Sequence, residues 1–287
     1  MLQWYRASAR DLPWRAPDAT PWGVLVSEVM LQQTPVGRVL PVWAEWLQRW
    51  PDPGALAAAA AGDAIRHWGR LGYPRRALRL HQAATQMVDR HGGRVPSSYG
   101  DLLALQGIGS YTAAAVASFA FGARYAVVDT NVRRVQARAV SGEALAAPAL
   151  RSAEQRLAER LLPEDDGEVA RWNVAVMELG ALLCTARAPR CTGCPLRSRC
   201  AWVQAGSPAY DGPPRRNQSW QGTDRQVRGR LLAALRTATA PVDGHELRHA
   251  ARPGSPADEG QLRRCLDSLV ADGLVEALPG SSYRLPA

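Results

Sequence analysis

The stretch from Leu105 to Arg134 constrains the fold of this chain more than any other. Its turn, QGIGS at residues 106–110, places Gly107 and Gly109 one residue apart, directly before an apolar helix predicted over Tyr111 to Phe121. Glycine tolerates positive φ and has no Cβ, so backbone N–H groups in this turn can approach a phosphate closely. Asp129 follows twenty residues after Gly109 and opens a second helix, with arginines one turn later.

A short helix, YGDLLALQ, leads into this turn, so the order is helix, Gly-x-Gly turn, helix. This is the helix–hairpin–helix arrangement, whose tight turn offers amides to one DNA phosphate without reading the base sequence. Gly107, Gly109 and Ser110 are therefore candidate DNA contacts. Asp129 has two compatible interpretations: a helix N-cap worth about 1 kcal/mol, and a catalytic carboxylate.

A carboxylate stands inside a second apolar helix, WGVLVSEVMLQQ, which we expect to end before Pro35. Glu28 has apolar neighbours at helical spacing, and burial there would raise the pKa of its carboxyl, as a general acid near neutral pH requires. A glutamate on a solvated helix face is the alternative. Gln32, expected one turn further on the same face, and Gln33 beside it weaken that alternative.

The most specific pattern is a set of four cysteines within seventeen residues: Cys184, Cys191, Cys194 and Cys200. Their gaps of six, two and five residues allow one compact centre, and sulfur ligation admits zinc or an iron–sulfur cluster. A zinc ribbon needs two close pairs, and only one pair is close here. The spacing therefore favours a 4Fe–4S cluster. Cys265 lies apart and is predicted to be a small core residue.

The chain is basic, with a formal net charge of +9 over 287 residues. All 35 basic residues are arginine, which suits phosphate recognition but is also typical of a GC-rich genome. No apolar run is long enough to span a bilayer and no signal-peptide core is visible, so we expect a soluble, cytoplasmic protein. We expect a monomer that binds double-stranded DNA.

Two loops carry exposed-looking aromatic residues next to arginines. In RLGYPRRA, Tyr73 is a candidate wedge between bases, the alternative being a tyrosine packed under its own turn. Trp14 and Arg15 lie on an N-terminal loop, and the alternative there is a strap packed on the core.

Residues 206–222 are rich in Pro, Gly and Ser and are predicted to be a linker. The remaining segment, 223–287, has the pattern helix, helix, helix, then two strands, which resembles a winged helix. It carries nine arginines and eight acids, so the excess positive charge belongs to the first 222 residues. We also expect helix from Asp129 to about Leu183, apart from a surface loop at Leu162 to Gly167.

Five motifs in order now carry a family resemblance: SEVMLQQT, RLGYPRRA, LQGIGSYTA, VVDTNVRRV and the Cys-x6-Cys-x2-Cys-x5-Cys loop. Together they resemble the adenine DNA glycosylase (MutY) branch of the helix–hairpin–helix base-excision glycosylases, over roughly residues 1–205. The resemblance implies an all-α fold of two helical subdomains: a six-helix barrel over 22–128, and an iron–sulfur cluster domain over 1–21 and 129–205. The target base would be flipped into the cleft between them.

The resemblance also implies roles for individual residues. Glu28 would protonate adenine, and Asp129, supported by Asn131, would stabilise the oxocarbenium-like sugar. Tyr111 would contact the adenine site, which Trp14 and Arg15 would line. Gln33 and Tyr73 would intercalate near the opposing purine, either 8-oxoguanine or guanine. The four cysteines would hold the cluster.

Position 111 bears on the type of reaction. Similar enzymes of the endonuclease III type have a lysine there that forms a Schiff base and cleaves the strand. This chain has Tyr111 and no lysine at all, so a monofunctional glycosylase is expected.

Two departures from the family pattern stand out. Many relatives continue into a Nudix-like C-terminal domain, whereas this sequence carries only the small segment 223–287, as in short actinobacterial-like forms, and Val174 stands where relatives often have Glu or Gln. Two other functions stay open: a mismatch glycosylase for thymine in G·T pairs, and a non-catalytic iron–sulfur regulator that binds DNA.

Overall fold

The computed structural model describes residues 1–212, 221–251 and 258–287. Over these residues the chain is mainly helical, with one small sheet, as the sequence predicts. Its helices are α1 (Leu2–Ser8), α2 (Pro21–Leu31), α3 (Val36–Arg49), α4 (Pro53–Ala57), α5 (Ala61–His67), α6 (Arg75–His91), α7 (Tyr99–Leu103), α8 (Ser110–Phe121), α9 (Thr130–Gln136), α10 (Ser152–Arg160), α11 (Val169–Leu182), α12 (Ala201–Gln204), α13 (Asp224–Thr237), α14 (Gly244–Ala251) and α15 (Glu259–Ala271).

The chain forms two compact units. Unit one comprises Met1–Leu25, Ser97–Ala104 and Ile108–Pro214, and unit two comprises Val26–Pro96, Leu105–Gly107 and Arg215–Ala287. The predicted division places residues 22–128 in one domain and residues 1–21 and 129–205 in the other. It therefore groups α8 with the first of these domains, whereas α8 belongs to unit one. The predicted division stays a prediction. Of the predicted linker 206–222, residues 213–220 lie outside the described part of the chain.

Unit one is built around α9 and α11. An apolar cluster holds Val128, Val132, Val135 and Leu179, and Cys184 packs against its edge. Because these side chains are buried together, the N-terminus of α9 lies beside the cysteine loop, and Asp129 lies there with it. This is the arrangement that positions both candidate centres of unit one.

The prediction of near-continuous helix from Asp129 to Leu183 is wrong between α9 and α10. A π-helical turn (Ala137–Ser141) follows α9, and residues 142–151 are irregular. Gly142 ends the helical segment with φ +75°, a left-handed conformation that an L side chain disfavours. The buried Arg133 side chain organises the irregular stretch, donating to the carbonyls of Ala147 and Ala149 at 2.8 and 2.7 Å.

Unit two has an aromatic core. Trp46 and Trp68, both fully buried, meet edge to face with their ring centroids 5.4 Å apart. Helices α4 and α5 are separate elements because the backbone is extended at Ala60, before α5 starts.

The C-terminal segment, residues 221–287, belongs to unit two and follows the predicted winged-helix order. Helices α13, α14 and α15 accompany a sheet of β1 (Val242–Asp243), β2 (Glu276–Leu278) and β3 (Ser282–Arg284). All pairs are antiparallel and the strand order is β1-β3-β2. Strand β1 is missed by the sequence prediction because two residues are too few to show an alternating pattern. Cys265 is buried in α15, as expected.

No helix in the described part of the chain combines the length and the hydrophobicity that crossing a bilayer requires.

Candidate active site and cysteine cluster

Asp129 caps α9 and is held in one orientation. Its Oδ1 accepts a hydrogen bond from the Val132 backbone N–H at 2.7 Å, and its Oδ2 accepts one from the Asn131 side-chain amide at 2.7 Å. Burial raises the pKa of the Asp129 carboxyl, although these hydrogen bonds and the nearby Arg134 charge act to lower it. A fixed, desolvated carboxylate of this kind can stabilise a cationic sugar without reorganising.

Arg134 joins the Asp129 site to the cysteine loop. Its Nε donates to the carbonyl oxygen of Cys184 at 2.6 Å, and its guanidinium also donates to Gly180 O and Asn131 Oδ1 at 2.7 Å each. Asn131 therefore accepts from Arg134 and donates to Asp129. The amide orientation of Asn131, and through it that of the Asp129 carboxylate, depends on where the Cys184 carbonyl lies.

Tyr111 lies in the first turn of α8, where it is half-buried against Ala114, Ala115 and Val127. Ser110 is exposed, and Gly109 is the N-cap of α8 with φ −93°. Ser110 is therefore accessible at the N-terminus of α8, as the prediction that it contacts DNA requires.

Trp14 and Arg15 lie in a 3-10 turn (Pro13–Arg15). The Trp14 side chain is buried, so the interpretation of Trp14 as an exposed aromatic residue is wrong. Arg15 forms an ion pair at 2.9 Å with Glu178, which is 0% exposed and also takes a bidentate pair from Arg10. Burial acts to raise the pKa of Glu178, but the two arginines outweigh it and the pKa is lowered. Glu178 thereby fixes the N-terminal strap to α11.

In unit two, Glu28 is only 5% exposed, which confirms that it does not lie on a solvated helix face. It lies in α2 between Ser27 and Val29, both buried. Glu28 belongs to unit two, whereas Asp129 belongs to unit one.

Gln32 does not share a helix face with Glu28, because α2 ends at Leu31; Gln32 and Gln33 form a turn instead. Gln33 is exposed with φ +55°, and Tyr73 is 43% exposed with φ +48°. Left-handed conformations are costly for such residues and persist only where the surroundings impose them. Both predicted wedge residues therefore stand on strained, outward-facing turns.

Arg76 is the group that imposes this shape. It is buried at the start of α6 and donates five hydrogen bonds, to Val29 O, Met30 O, Gln32 O, Thr34 Oγ1 and Gly72 O, over 2.7–3.1 Å. Burial lowers its pKa to about 10. One guanidinium thus ties the end of the helix that carries Glu28 to both wedge turns.

Gly107 has φ +79° and packs closely on α6. A Cβ at this position would lie 2.5 Å from the Cβ of Arg79, so only glycine fits. A Cβ at Gly109 would meet nothing within 4 Å. The two glycines of the turn are therefore not equivalent: the first is required by packing and backbone, and the second leaves the α8 N-terminus open.

The four cysteines line one pocket, together with Arg138 and Trp202. Arg138 donates to Cys184 Sγ at 3.5 Å and to the carbonyls of Thr185 and Ala186, and its guanidinium lies over the Trp202 ring at 4.9 Å. In the described part of the chain, no group of three or more His, Cys, Asp or Glu side chains is arranged to hold a single metal ion.

Arg76, Arg134, Arg138 and Glu178 are the supporting residues that the sequence prediction missed. Each contacts residues far away along the chain, and nothing in its immediate sequence distinguishes it from the other charged residues. The exception is Arg134, which the pair of arginines one turn after Asp129 already pointed to.

A profile described as "HhH-GPD superfamily base excision DNA repair protein" matches residues 26–163. An adenine DNA glycosylase of Mycobacterium tuberculosis is 52% identical over 286 residues, covering 100% of this chain and 92% of the relative. The chain belongs to the adenine DNA glycosylase family of this superfamily. A Mycolicibacterium smegmatis relative of the same name is 50% identical over 285 residues, 99% of this chain and 94% of the relative.

A solved structure of a thermostable thymine-DNA glycosylase superposes with a TM-score of 0.64 at 29% identity, covering 71% of this chain and 93% of that one. The predicted family and fold class are confirmed by these similarities. The mycobacterial alignments also extend into the C-terminal segment, since they cover nearly the whole chain.

Proposed function

We propose that this protein is a monofunctional adenine DNA glycosylase that hydrolyses the N-glycosidic bond of adenine mispaired with 8-oxoguanine or guanine. One observation carries the proposal: the full-length similarity to adenine DNA glycosylases accompanies a buried Glu28 and a buried, hydrogen-bonded Asp129. Both side chains are of the type that the cleavage of a purine from its sugar requires.

Each carboxyl group has a separate task in the proposed reaction. Glu28 donates a proton to N7 of adenine, so the electron pair of the breaking C1′–N9 bond moves into a neutral leaving base. Asp129 as carboxylate stabilises the positive charge that develops on the sugar. Water then attacks C1′ and loses a proton to solvent, and Glu28 regains a proton from solvent, which completes hydrolysis.

The supporting residues fix these groups in place. Asn131 and the Val132 N–H hold the Asp129 carboxylate, and the buried Trp14 and the Glu178-paired Arg15 would line the adenine pocket. Gln33 and Tyr73, on their outward turns, would enter the duplex, and Gly107, Gly109 and Ser110 would hold a phosphate. With no lysine in the chain, no lysine Schiff base can form with the sugar.

The cysteine pocket fits a 4Fe–4S cluster better than zinc. Tetrahedral zinc needs four ligands about 2.3 Å from one ion and is typically held by two close cysteine pairs, whereas the four thiols that line this pocket include only one close pair, Cys191 and Cys194. Cys184, Cys191, Cys194 and Cys200 would hold the cluster, which supplies iron–sulfur bonds that cross-link the loop and a redox-active centre. Arg138 and Arg134 would hold the loop in shape around it.

Single-turnover base release tests the proposal. The duplexes carry A opposite 8-oxoguanine, A opposite G, A opposite T, and T opposite G. We expect rapid adenine release from the first, slower release from the second and none from the third. Thymine release from the fourth duplex alone would favour the alternative that the thymine-DNA glycosylase likeness keeps open.

Glu28→Gln tests the general acid alone, because glutamine has nearly the shape of glutamate but lacks the carboxyl proton. We expect a loss of about 10²- to 10⁴-fold in adenine release with mismatch binding retained. Glu45→Gln, an exposed glutamate on α3, is the matched control and should keep full activity. Normal release by the Glu28 variant would remove Glu28 from the mechanism.

A further inference from the structure

We propose that Arg79 is a phosphate-binding residue, whose guanidinium binds the DNA phosphate that approaches the backbone of the Gly107 turn. The proposal rests on the proposed function, because the ligand is the phosphate backbone of the substrate duplex. It adds a cationic side chain of α6 to a turn whose sequence motif supplies backbone N–H groups only.

The aliphatic part of the Arg79 side chain packs directly on the backbone of Gly107. A Cβ added to Gly107 would lie 2.5 Å from the Cβ of Arg79, 3.0 Å from its Cγ and 2.8 Å from its Cδ. Three successive carbons of Arg79 therefore lie along the turn, in the space that a side chain at position 107 would otherwise fill. The guanidinium begins at the next atom, Nε, so it starts beside the turn.

The guanidinium of Arg79 is available to an anion. Arg79 is exposed, and it forms no hydrogen bond, ion pair or ring contact with any other residue that the structure describes. Two earlier arginines of α6 differ in this respect, because Arg75 pairs with Asp272 and the buried Arg76 donates to backbone carbonyls. Arg79 thus keeps its planar fork of N–H donors for a ligand, and that fork suits phosphate oxygens.

A second side chain of α6 fixes the turn next to Arg79. Gln86 Oε1 accepts a hydrogen bond from the backbone N–H of Gln106 at 2.7 Å. Arg79 and Gln86 are two helical turns apart, so they share one face of α6. The Gly107 turn is therefore held against this face by contacts within unit two. The position of Arg79 relative to Gly107 is preformed, which reduces the ordering cost of binding a phosphate.

Arg79 supplies a charge that the turn itself lacks. Gly107 is exposed and has no Cβ, so a phosphate can approach its backbone closely. Backbone N–H groups carry partial charges only, whereas a guanidinium carries a full positive charge. A cation that neutralises a phosphate releases a counterion from the DNA, and this release appears in the salt dependence of the affinity. A phosphate contact by Arg79 therefore has a measurable signature that packing on Gly107 does not have.

The test compares two substitutions that both leave aliphatic carbons on Gly107: Arg79→Lys keeps the positive charge and Arg79→Gln removes it. Fluorescence anisotropy over a series of salt concentrations measures binding of the full-length protein to two duplexes. One is an undamaged A·T duplex. The other carries 2′-fluoro-2′-deoxyadenosine opposite 8-oxoguanine, in which the fluorine disfavours a cationic sugar and so resists cleavage.

We expect Arg79→Gln to weaken binding to both duplexes by a similar factor of about 5–10, and to lower the salt slope by about one. Arg79→Lys should keep the wild-type slope. Arg284→Ala is the control for net charge, because Arg284 is already paired with Glu276; it should bind like wild type.

A methylphosphonate scan locates the contact. Each duplex in the series carries one neutral methylphosphonate in place of one phosphate. We expect one position at which this neutralisation weakens binding by the wild-type protein by about 5–10-fold. The same replacement should have a smaller effect on Arg79→Gln, because the charge that it uncouples is already absent.

The outcomes separate a phosphate contact from packing. If Arg79 only packs on the turn, Arg79→Gln keeps the wild-type salt slope, and the proposal is overturned. It is also overturned if every methylphosphonate affects Arg79→Gln as much as wild type. Either result, together with normal adenine release by the wild-type protein, leaves the proposed function intact. A wild-type protein that releases no adenine, while Arg79→Gln lowers the salt slope, contradicts the proposed function alone.

Discussion

Replacing Arg76 by methionine should destabilise the protein by about 4 kcal/mol. Five hydrogen bonds from a charged donor are lost, and at about 1.5 kcal/mol each they contribute about 7 kcal/mol. Relief of guanidinium burial offsets part of this loss. Burial disfavours the charged form and lowers the Arg76 pKa to about 10; removing a buried charge of this kind recovers on the order of 3 kcal/mol.

Denaturant unfolding and thermal melting measure the effect, which corresponds to on the order of 10 °C in Tm. Arg90→Met, which changes an exposed arginine near the end of α6, is the matched control and should lie within about 0.5 kcal/mol of wild type. Binding to a mismatch duplex should also weaken in the Arg76 variant, since its guanidinium anchors Gln32 and Gly72 next to the two wedge residues. A change of less than about 1 kcal/mol in the Arg76 variant would refute the claim that these bonds hold the turns.

Three further predictions follow from local geometry. Gly107→Ala should destabilise by more than about 1 kcal/mol in chemical denaturation, while Gly109→Ala should not, because only Gly107 combines φ +79° with a close contact; equal effects would contradict this. Burial raises the Asp129 pKa and excision needs the carboxylate, so the release rate should fall on acidification at a pH above the usual aspartate range. Asn131→Ala removes a hydrogen bond that lowers that pKa and should move the fall to higher pH; an unmoved profile would exclude the link. Arg138→Met should reduce iron and sulfide content per chain, because it removes the bonds that shape the loop, and Arg187→Met, on an exposed loop residue, is the control.

Local features were predictable from the sequence because they depend on neighbours a few residues away. The cap at Asp129, the Gly107 turn, the cysteine spacing and the apolar surroundings of Glu28 are all of this kind. The errors arose where tertiary contacts prevailed over local pattern. The helix carrying Glu28 ends at Leu31 rather than continuing through Gln32, because its last carbonyls bond to Arg76 from α6.

The sequence by itself determined the family and the helical fold class and supplied the residues proposed to do the chemistry, since short motifs fix their order and spacing. Tertiary structure alone decided how those residues are supported. Arg134 contacts Cys184 fifty residues away, Glu178 fixes Arg10 across 168 residues, and Arg225 meets Tyr73 from the C-terminal segment. An arginine that anchors two turns and an arginine that faces solvent look alike in a sequence, because burial and partner geometry exist only once distant segments have packed.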